Sequence, residues 1–396
     1  MERYQFCIRS PDGDGSDCRM MDEIAVELSV TAASGIEAVT KRELKHLGFD
    51  PGGAVYGRIP VQASLSDIAR LNLHLRTADR VFLTIAEFPC QSFDELFDGV
   101  YAAEWERFLP ADAALPVEVQ TIKSKLYAHA AIASVAKKAV LQKMTDRKKA
   151  VVFPETGAVF RLRIALIEDV ATVLLDTTGA GLHKRGYRTM VGEAPIAENL
   201  AAAMLLLSDW TRDRALIDPF AGSGTLPIEA AMMASDTAPG LFRSFAFEGF
   251  GWLSDAYRRQ KEQALDGIDR SCKARIQGFD INPKAISLAV RHAEAAGVRH
   301  LIHFGTQDMR EVSSRYRGGT VVTNPPYGER LLKEPELQTL YRDFGKMMRR
   351  MDDWSLFVIT PYPRFERYFG KKADKTRKLY NAQLECRYYC YYKKGD

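Results

Sequence analysis

The sequence predicts an α/β protein whose carboxy-terminal half is a doubly wound parallel sheet, preceded by smaller α+β units. Three observations carry this. From residue 192 onward, short apolar runs (ALIDPF, RIQGFDI, LIHFGT, GGTVVTN, WSLFVIT) alternate with helical stretches, the order that builds strand–helix–strand crossovers around a buried sheet. Before that point, alternating polar and apolar runs interleave with amphipathic helices over short connections, as in an α+β sandwich. At 396 residues the chain also exceeds one ordinary core and implies two or three domains.

The elements follow in order. Residues 1–22, with the run PDGDGSD, predict a disordered tail without the apolar core of a signal peptide, and Met20 or Met21 is a candidate start. The segment 23–75 forms a first unit. Its alternating strand leads to a helix carrying Ile36, Val39, Leu44 and Leu47, then GGAVYGRIPVQAS gives a turn and a second strand. LSDIARLNLHLRTADRVFLTIAEF is a helix and then a strand, and crosses into a second unit, 76–182. There SFDELFDGVYAAEWERFL begins at Ser92 with Glu95 three residues on, the capping-box pattern. LPVEVQTI is a strand, HAAIASVAKKAVLQKMTDR an amphipathic helix, and 159–179 a strand pair turning near Glu168 and Asp169. Residues 183–191 make a basic linker to the doubly wound unit, 192–396. An insertion at 236–270 carries Phe250, Trp252 and Tyr257, either covering a ligand site or packing on it. KLYNAQLECRYYCYYKK predicts one or two antiparallel edge strands.

The net charge of +4 does not by itself announce a polyanionic partner. Distribution says more. Between Gln120 and Lys149 lie Lys123, Lys125, Lys137, Lys138, Lys143, Arg147, Lys148 and Lys149 against Asp146 alone. A phosphate-facing surface needs such an excess, although a solvated helix face produces the same run. No apolar run approaches the ~20 residues of a membrane span. The six cysteines (7, 18, 90, 272, 386, 390) lack zinc-ligand spacing with histidines, which predicts reduced thiols in a cytoplasmic protein and no bound metal.

Asp218 to Thr225 (DPFAGSGT) falls between the first strand of the doubly wound unit and its helix, outside the carboxyl end where open sheets bind ligands. Gly222 and Gly224 let backbone pass close to a ligand at a helix N-terminus, whose free amides favour a carboxylate. The spacing is neither that of dinucleotide folds nor that of a phosphate loop. Asp280 ends the second strand, placed to accept from both ribose hydroxyls or to cap the next helix, with Asn282 able to share those tasks. Asp308 follows the third strand, as an acceptor for an adenine amino group or as a cap before Met309. In VVTNPPYGERL the prolines cannot enter a paired central strand, so the strand stops at Thr323 or Asn324. Asn324-Pro325-Pro326-Tyr327 is then a stiff turn at its tip.

DPFAGSGT, GFDINP, GTQDM and TNPPYGERL, in this order, resemble the class I S-adenosylmethionine-dependent methyltransferases over roughly 190–396. The resemblance implies a Rossmann-like fold and S-adenosylmethionine as cofactor, with Gly222 and Gly224 along the methionine, Asp280 on the ribose and Asp308 on the adenine. The implied cofactor set adds Asp218, Phe220, Ala221, Ser223, Thr225, Ile281, Met309 and Asn324. Pro195 and Asn199 join it from Ala194-Pro195-Ile196 and Glu198-Asn199, which resemble the segment closing over the cofactor; Ala197 stands where relatives often carry Lys.

The sulfonium methyl is already activated, so the acceptor is the difficulty: an exocyclic amino nitrogen is flat and weakly nucleophilic. The Asn324 side-chain oxygen and the Pro325 carbonyl, held stiffly by Pro326, would accept its hydrogens and favour a pyramidal nitrogen aimed at the methyl. Tyr327 would stack on the displaced base. This chemistry does not choose among adenine N6, cytosine N4, guanine N2 or a glutamine amide. The amino-terminal half resembles a ferredoxin-like domain followed by a THUMP domain, an RNA-binding module. LHKRGYR resembles the linker of THUMP-containing ribosomal RNA guanine-N2 methyltransferases, which implies RNA contacts from His183, Lys184, Arg185, Tyr187 and Arg188 beside Lys123 and Lys125. The implied reaction is guanine-N2 methylation of 23S (large-subunit) ribosomal RNA or its precursor particle. A THUMP-type transfer-RNA guanine-N2 enzyme, a DNA adenine-N6 methylase and a non-catalytic RNA-binding ribosome-assembly factor are the alternatives.

Overall fold

A computed structural model of the chain describes residues 24–148, 153–188, 196–327 and 333–393. The amino-terminal half contains β1 (Ala25–Ala32), α1 (Glu37–His46), β2 (Arg58–Ser64), α2 (Asp67–His74), β3 (Ala78–Pro89), α3 (Phe93–Ala102), β4 (Val117–Ile122), α4 (His129–Lys148), β5 (Leu162–Ile167) and β6 (Val170–Asp176). These strands form one sheet in the order β2-β1-β3-β6-β5-β4. The two α+β units expected from the sequence are thus continuous, because β3 pairs with β1 through Val81 and Leu83 and with β6 from Phe82 to Pro89. Local chemistry sets the element ends. The Ser92 hydroxyl accepts from the Glu95 amide (3.2 Å) and Glu95 accepts from the Ser92 amide (3.2 Å), so the capping box forms as expected. The β5–β6 turn uses Glu168 and Asp169 at φ 52° and 62°, the left-handed pair that matches hairpin twist.

The carboxy-terminal half contains α5 (Glu198–Leu207), β7 (Leu216–Asp218), α6 (Thr225–Ala234), α7 (Ser254–Asp266), β8 (Ile276–Asp280), α8 (Pro283–Ala295), β9 (Ile302–Thr306), β10 (Thr320–Thr323), α9 (Glu334–Arg349), β11 (Ser355–Thr360), α10 (Phe365–Phe369), β12 (Lys375–Asn381) and β13 (Leu384–Tyr391). Their order is β12-β13-β11-β10-β7-β8-β9, parallel from β11 to β9 with β13 and β12 antiparallel at the edge. Strand order reverses between β7 and β10, so the crevice for a ligand lies at their carboxyl ends. Val321, Val322, Leu356, Phe357 and Val358 are buried on both faces, which explains their unbroken apolar runs.

The 236–270 insertion joins the two halves. Phe250 stacks on Phe160 with ring centroids 4.3 Å apart, the Trp252 indole donates to the Phe108 carbonyl (3.2 Å), and α7 packs on α2. Phe250 and Trp252 therefore pack against the amino-terminal half, and Tyr257 stands edge-on to Phe245 and Phe247 within the insertion.

Candidate active site

The loop after β7 is folded by its own polar groups. The buried Asp218 carboxylate accepts from the Phe220 amide (3.1 Å) and from the Thr323 hydroxyl (2.6 Å). This second bond ties the β7 loop to the last residue of β10, across the switch point. Burial, with Asp280 nearby, pushes the Asp218 carboxyl up to about 7. Asp280 accepts the Gly222 amide on one oxygen (3.0 Å) and the Asn282 amide on the other (2.8 Å), leaving each oxygen a lone pair for an incoming hydroxyl. Asn282 itself caps α8 through the Lys284 amide (3.0 Å), so it relieves Asp280 of that task.

The two loop glycines differ. Gly222, at φ 53°, has open space where a Cβ would stand. At Gly224, φ 85°, an added Cβ would meet the Ala289 Cβ at 2.9 Å. The first leaves room for a ligand; the second lets α6 pack on α8. Ile281 is 69% exposed immediately after Asp280, an apolar surface at the mouth of the crevice. Phe220 is half-buried with its ring edge-on to Phe344, Ala221 and Thr225 are buried, and Ser223 is half-buried. Asp308 caps the turn at Met309–Glu311, accepting from the Arg310 amide (2.8 Å), and Met309 is buried. Free acceptor capacity on Asp280, the exposed apolar side chain of Ile281 and the open space at Gly222 before the first turn of α6 are the groups that an adenosyl amino acid requires. By contrast, a cleft of about 600 Å³ lined by Arg275, Ile276, His300, Ile302 and Tyr316 opens at the amino ends of β8 and β9, the opposite end of the sheet from ligand chemistry.

β10 ends at Thr323, and Asn324 follows half-buried, with Pro325 buried and Pro326 and Tyr327 half-buried. Burial raises the Tyr327 phenol above its ordinary value. Its oxygen accepts from the Asn381 side chain (2.9 Å), a partner 54 positions away that no local pattern reveals. Thr323 was likewise absent from the expected set, although a hydroxyl at a strand's last position is a readable signal.

The linker corrects the sequence reading. Arg185 and Tyr187 are 2% and 1% exposed and both bind the buried Glu229 of α6, at 3.2 Å and 3.3 Å. Neither reaches an RNA surface; they anchor the linker to the catalytic half. Arg188, half-buried, donates to the Ile196 carbonyl (2.8 Å) and the Thr225 hydroxyl and pairs with Glu198 (3.3 Å). His183 is half-buried, and desolvation lowers its pKa. Lys184 remains exposed. The signal for the clamp was a lone Glu229 inside the apolar helix TLPIEAAMMA. The Asn199 side-chain amide donates to Asp79 (2.6 Å) and its oxygen accepts from the Leu200 amide (2.9 Å), which joins α5 to the amino-terminal half. Pro195 lies outside the described residues.

Lys123 and Lys125 are exposed beside the β5–β6 turn, Lys123 near Glu168 (3.5 Å) and Lys125 on the Gln91 side chain (2.6 Å). Farther along the basic run, Lys137 pairs with Glu155 (2.6 Å) and Arg147 with Glu106 (3.4 Å), so acids from other segments offset part of its excess.

Comparison with known proteins agrees with this geometry. Residues 185–390 match the RMKL-like methyltransferase domain, 27–82 the RlmL ferredoxin-like domain and 90–176 the THUMP domain. YpsC of Bacillus subtilis (strain 168), provisionally named an RNA methyltransferase, is 37% identical over 370 residues, covering 93% of this chain and 96% of YpsC. The ribosomal RNA large subunit methyltransferase K/L of Syntrophotalea carbinolica is 35% identical over 388 residues, covering 91% of this chain; the chain spans only 53% of that protein. The crystal structure of SMU.472, provisionally described as a methyltransferase and complexed with SAH, superposes with a TM-score of 0.89 at 40% identity, covering 94% of this chain and 99% of that one. The chain belongs to the RMKL-like methyltransferase family, in the form that carries a ferredoxin-like and a THUMP domain ahead of the catalytic fold.

Proposed function

We propose that this methyltransferase moves a methyl group from S-adenosylmethionine to the N2 amino group of a guanine in large-subunit (23S) ribosomal RNA. The observation that carries the site is the Asp218–Thr323 hydrogen bond, which sets the β7 loop beside the Asn324-Pro325-Pro326-Tyr327 turn. The RNA target is supported by the THUMP match and by the name of the K/L relative.

S-adenosylmethionine supplies a methyl activated by its sulfonium. Asp280 would accept from its ribose, Ile281 would flank its adenine, and the backbone at Gly222 with the first amides of α6 would hold its methionine part. The Asn324 Oδ1 and the Pro325 carbonyl accept the two amino hydrogens and turn the nitrogen lone pair toward the methyl. The N–C bond forms as the S–C bond breaks, and the amino proton then leaves to solvent, so no strong base is required. Tyr327 stacks on the base once it leaves its helix or loop. Lys123, Lys125 and Lys184 meet phosphates.

Labelled-methyl transfer to protein-free ribosomal RNA tests the reading. Asn324→Ala is expected to lower the transfer rate by at least about 100-fold, the scale of one lost transition-state hydrogen bond, with S-adenosylmethionine affinity within about threefold of wild type. Loss of both together would assign Asn324 to the cofactor instead.

A further inference from the structure

Residues 364–378, RFERYFGKKADKTRK, hold seven cations against two acids, a richer run than composition requires. Its last part is β12, and in the fold it ends beside the reaction. Arg387 of β13 pairs with Thr360, the final residue of β11, so Leu384 to Cys386 and the turn before them overhang the carboxyl edge of the sheet. Asn381, the last residue of β12, there donates to Tyr327 (2.9 Å).

Lys378 and Arg387 stand directly opposite each other on this overhang, and both are exposed. Like charges opposite one another weaken a sheet. Glu385, 2.6 Å from Lys378, is itself more than half exposed and offsets little of this. Among the described residues Arg387 has no ion pair. At the tip, Leu384 is 45% exposed. The hairpin is nonetheless firmly mounted. Gly35, at φ 91°, lies so close that a Cβ there would sit 2.7 Å from the Lys378 carbonyl, Leu379 is fully buried, and the Tyr388 hydroxyl donates to the Met204 carbonyl (2.7 Å). Lys378 and Arg387, only one of them met by an acid, stand on the outer face of a hairpin whose other face reaches Tyr327 through Asn381, an arrangement complementary to a phosphate of a strand that passes around the hairpin toward the site.

We propose that the β12–β13 hairpin is a second RNA-binding surface, on the catalytic half: Lys378 and Arg387 hold a phosphate of the single strand flanking the target nucleotide, and Asn381 positions the Tyr327 ring. This rests on the RNA reading above. Asn381 acts through Tyr327 and is a positioning residue.

The test uses the full chain and a fluorescently labelled single-stranded RNA, titrated at several salt concentrations. The variant carrying Lys378→Ala and Arg387→Ala is expected to bind roughly tenfold more weakly, with the slope of log K against log salt reduced by about 0.7, and to keep its affinity for S-adenosylhomocysteine. Unchanged RNA affinity and slope, with cofactor binding intact, would overturn the proposal while leaving the methylation reading in place. A wild-type chain that binds no RNA overturns both. For Asn381, a double-mutant cycle on the transfer rate separates positioning from folding. Asn381→Ala is expected to lower the rate in the wild-type background and to have no further effect beside Tyr327→Phe. Equal losses in both backgrounds contradict a role through the phenol.

Discussion

Asp218 shows how one carboxyl serves two strands. Its Oδ1 gathers the Phe220 amide and the Thr323 hydroxyl where almost no water reaches it, and desolvation raises its pKa to about 7. A carboxyl with a raised native pKa contributes stability that is fully present below its unfolded value of 3.8 and is lost as pH rises through 7. Asp218→Asn keeps an acceptor oxygen and removes the charge. Its stability relative to wild type is expected to increase between about pH 4 and pH 8 and then level off, read from thermal midpoints across that range. A constant difference would show that Asp218 is ionised throughout. Residue-scale chemistry was legible where it is local: the Ser92 capping box, the stop of β10 at Thr323 and the Asn282 cap all follow from spacing of a few positions. Tyr327 and Asn381 meet only because two distant strands place them together.

At the scale of elements, the linker is the clearest departure from the sequence reading. A run of His, Lys, Arg and Tyr has the composition of a phosphate-binding loop, yet burial decides otherwise. The Arg185 guanidinium and the Tyr187 hydroxyl satisfy a Glu229 that is 0% exposed in the middle of α6. Removing one partner of a buried pair strands the other charge, which costs about 3–5 kcal/mol. Arg185→Ala is expected to lose stability on that scale in chemical denaturation, whereas Lys184→Ala, on the exposed side of the same linker, stays within about 0.5 kcal/mol of wild type. A mild Arg185→Ala would mean that the joint tolerates the bare carboxylate. The insertion repeats the lesson: Phe250 and Trp252 looked able to cover a ligand, but their partners, Phe160 and the Phe108 carbonyl, lie in the other half. Periodicity locates helices and strands; it does not say which surfaces meet.

Across the whole molecule, the parallel sheet and its switch point were readable because buried strands are short, apolar and separated by helices. The continuity of the amino-terminal sheet was not, since it depends on β3 pairing along both edges. Charge distribution is likewise a property of the folded chain, with Lys123, Lys137 and Arg147 each beside an acid from another segment while Lys125 meets only the Gln91 side chain. Replacing both Lys123 and Lys125 with Glu is expected to weaken RNA binding and to lower the salt slope by about 1–2, and an unchanged slope would move the phosphate contacts elsewhere. The central claim, that this fold methylates guanine N2 in large-subunit ribosomal RNA, is tested most directly by nucleoside analysis. Ribosomal RNA, transfer RNA and DNA are each incubated with the full chain and labelled S-adenosylmethionine, then digested to nucleosides. The account predicts labelled N2-methylguanosine from ribosomal RNA; label found in N6-methyladenine from DNA, or in transfer RNA alone, would contradict it.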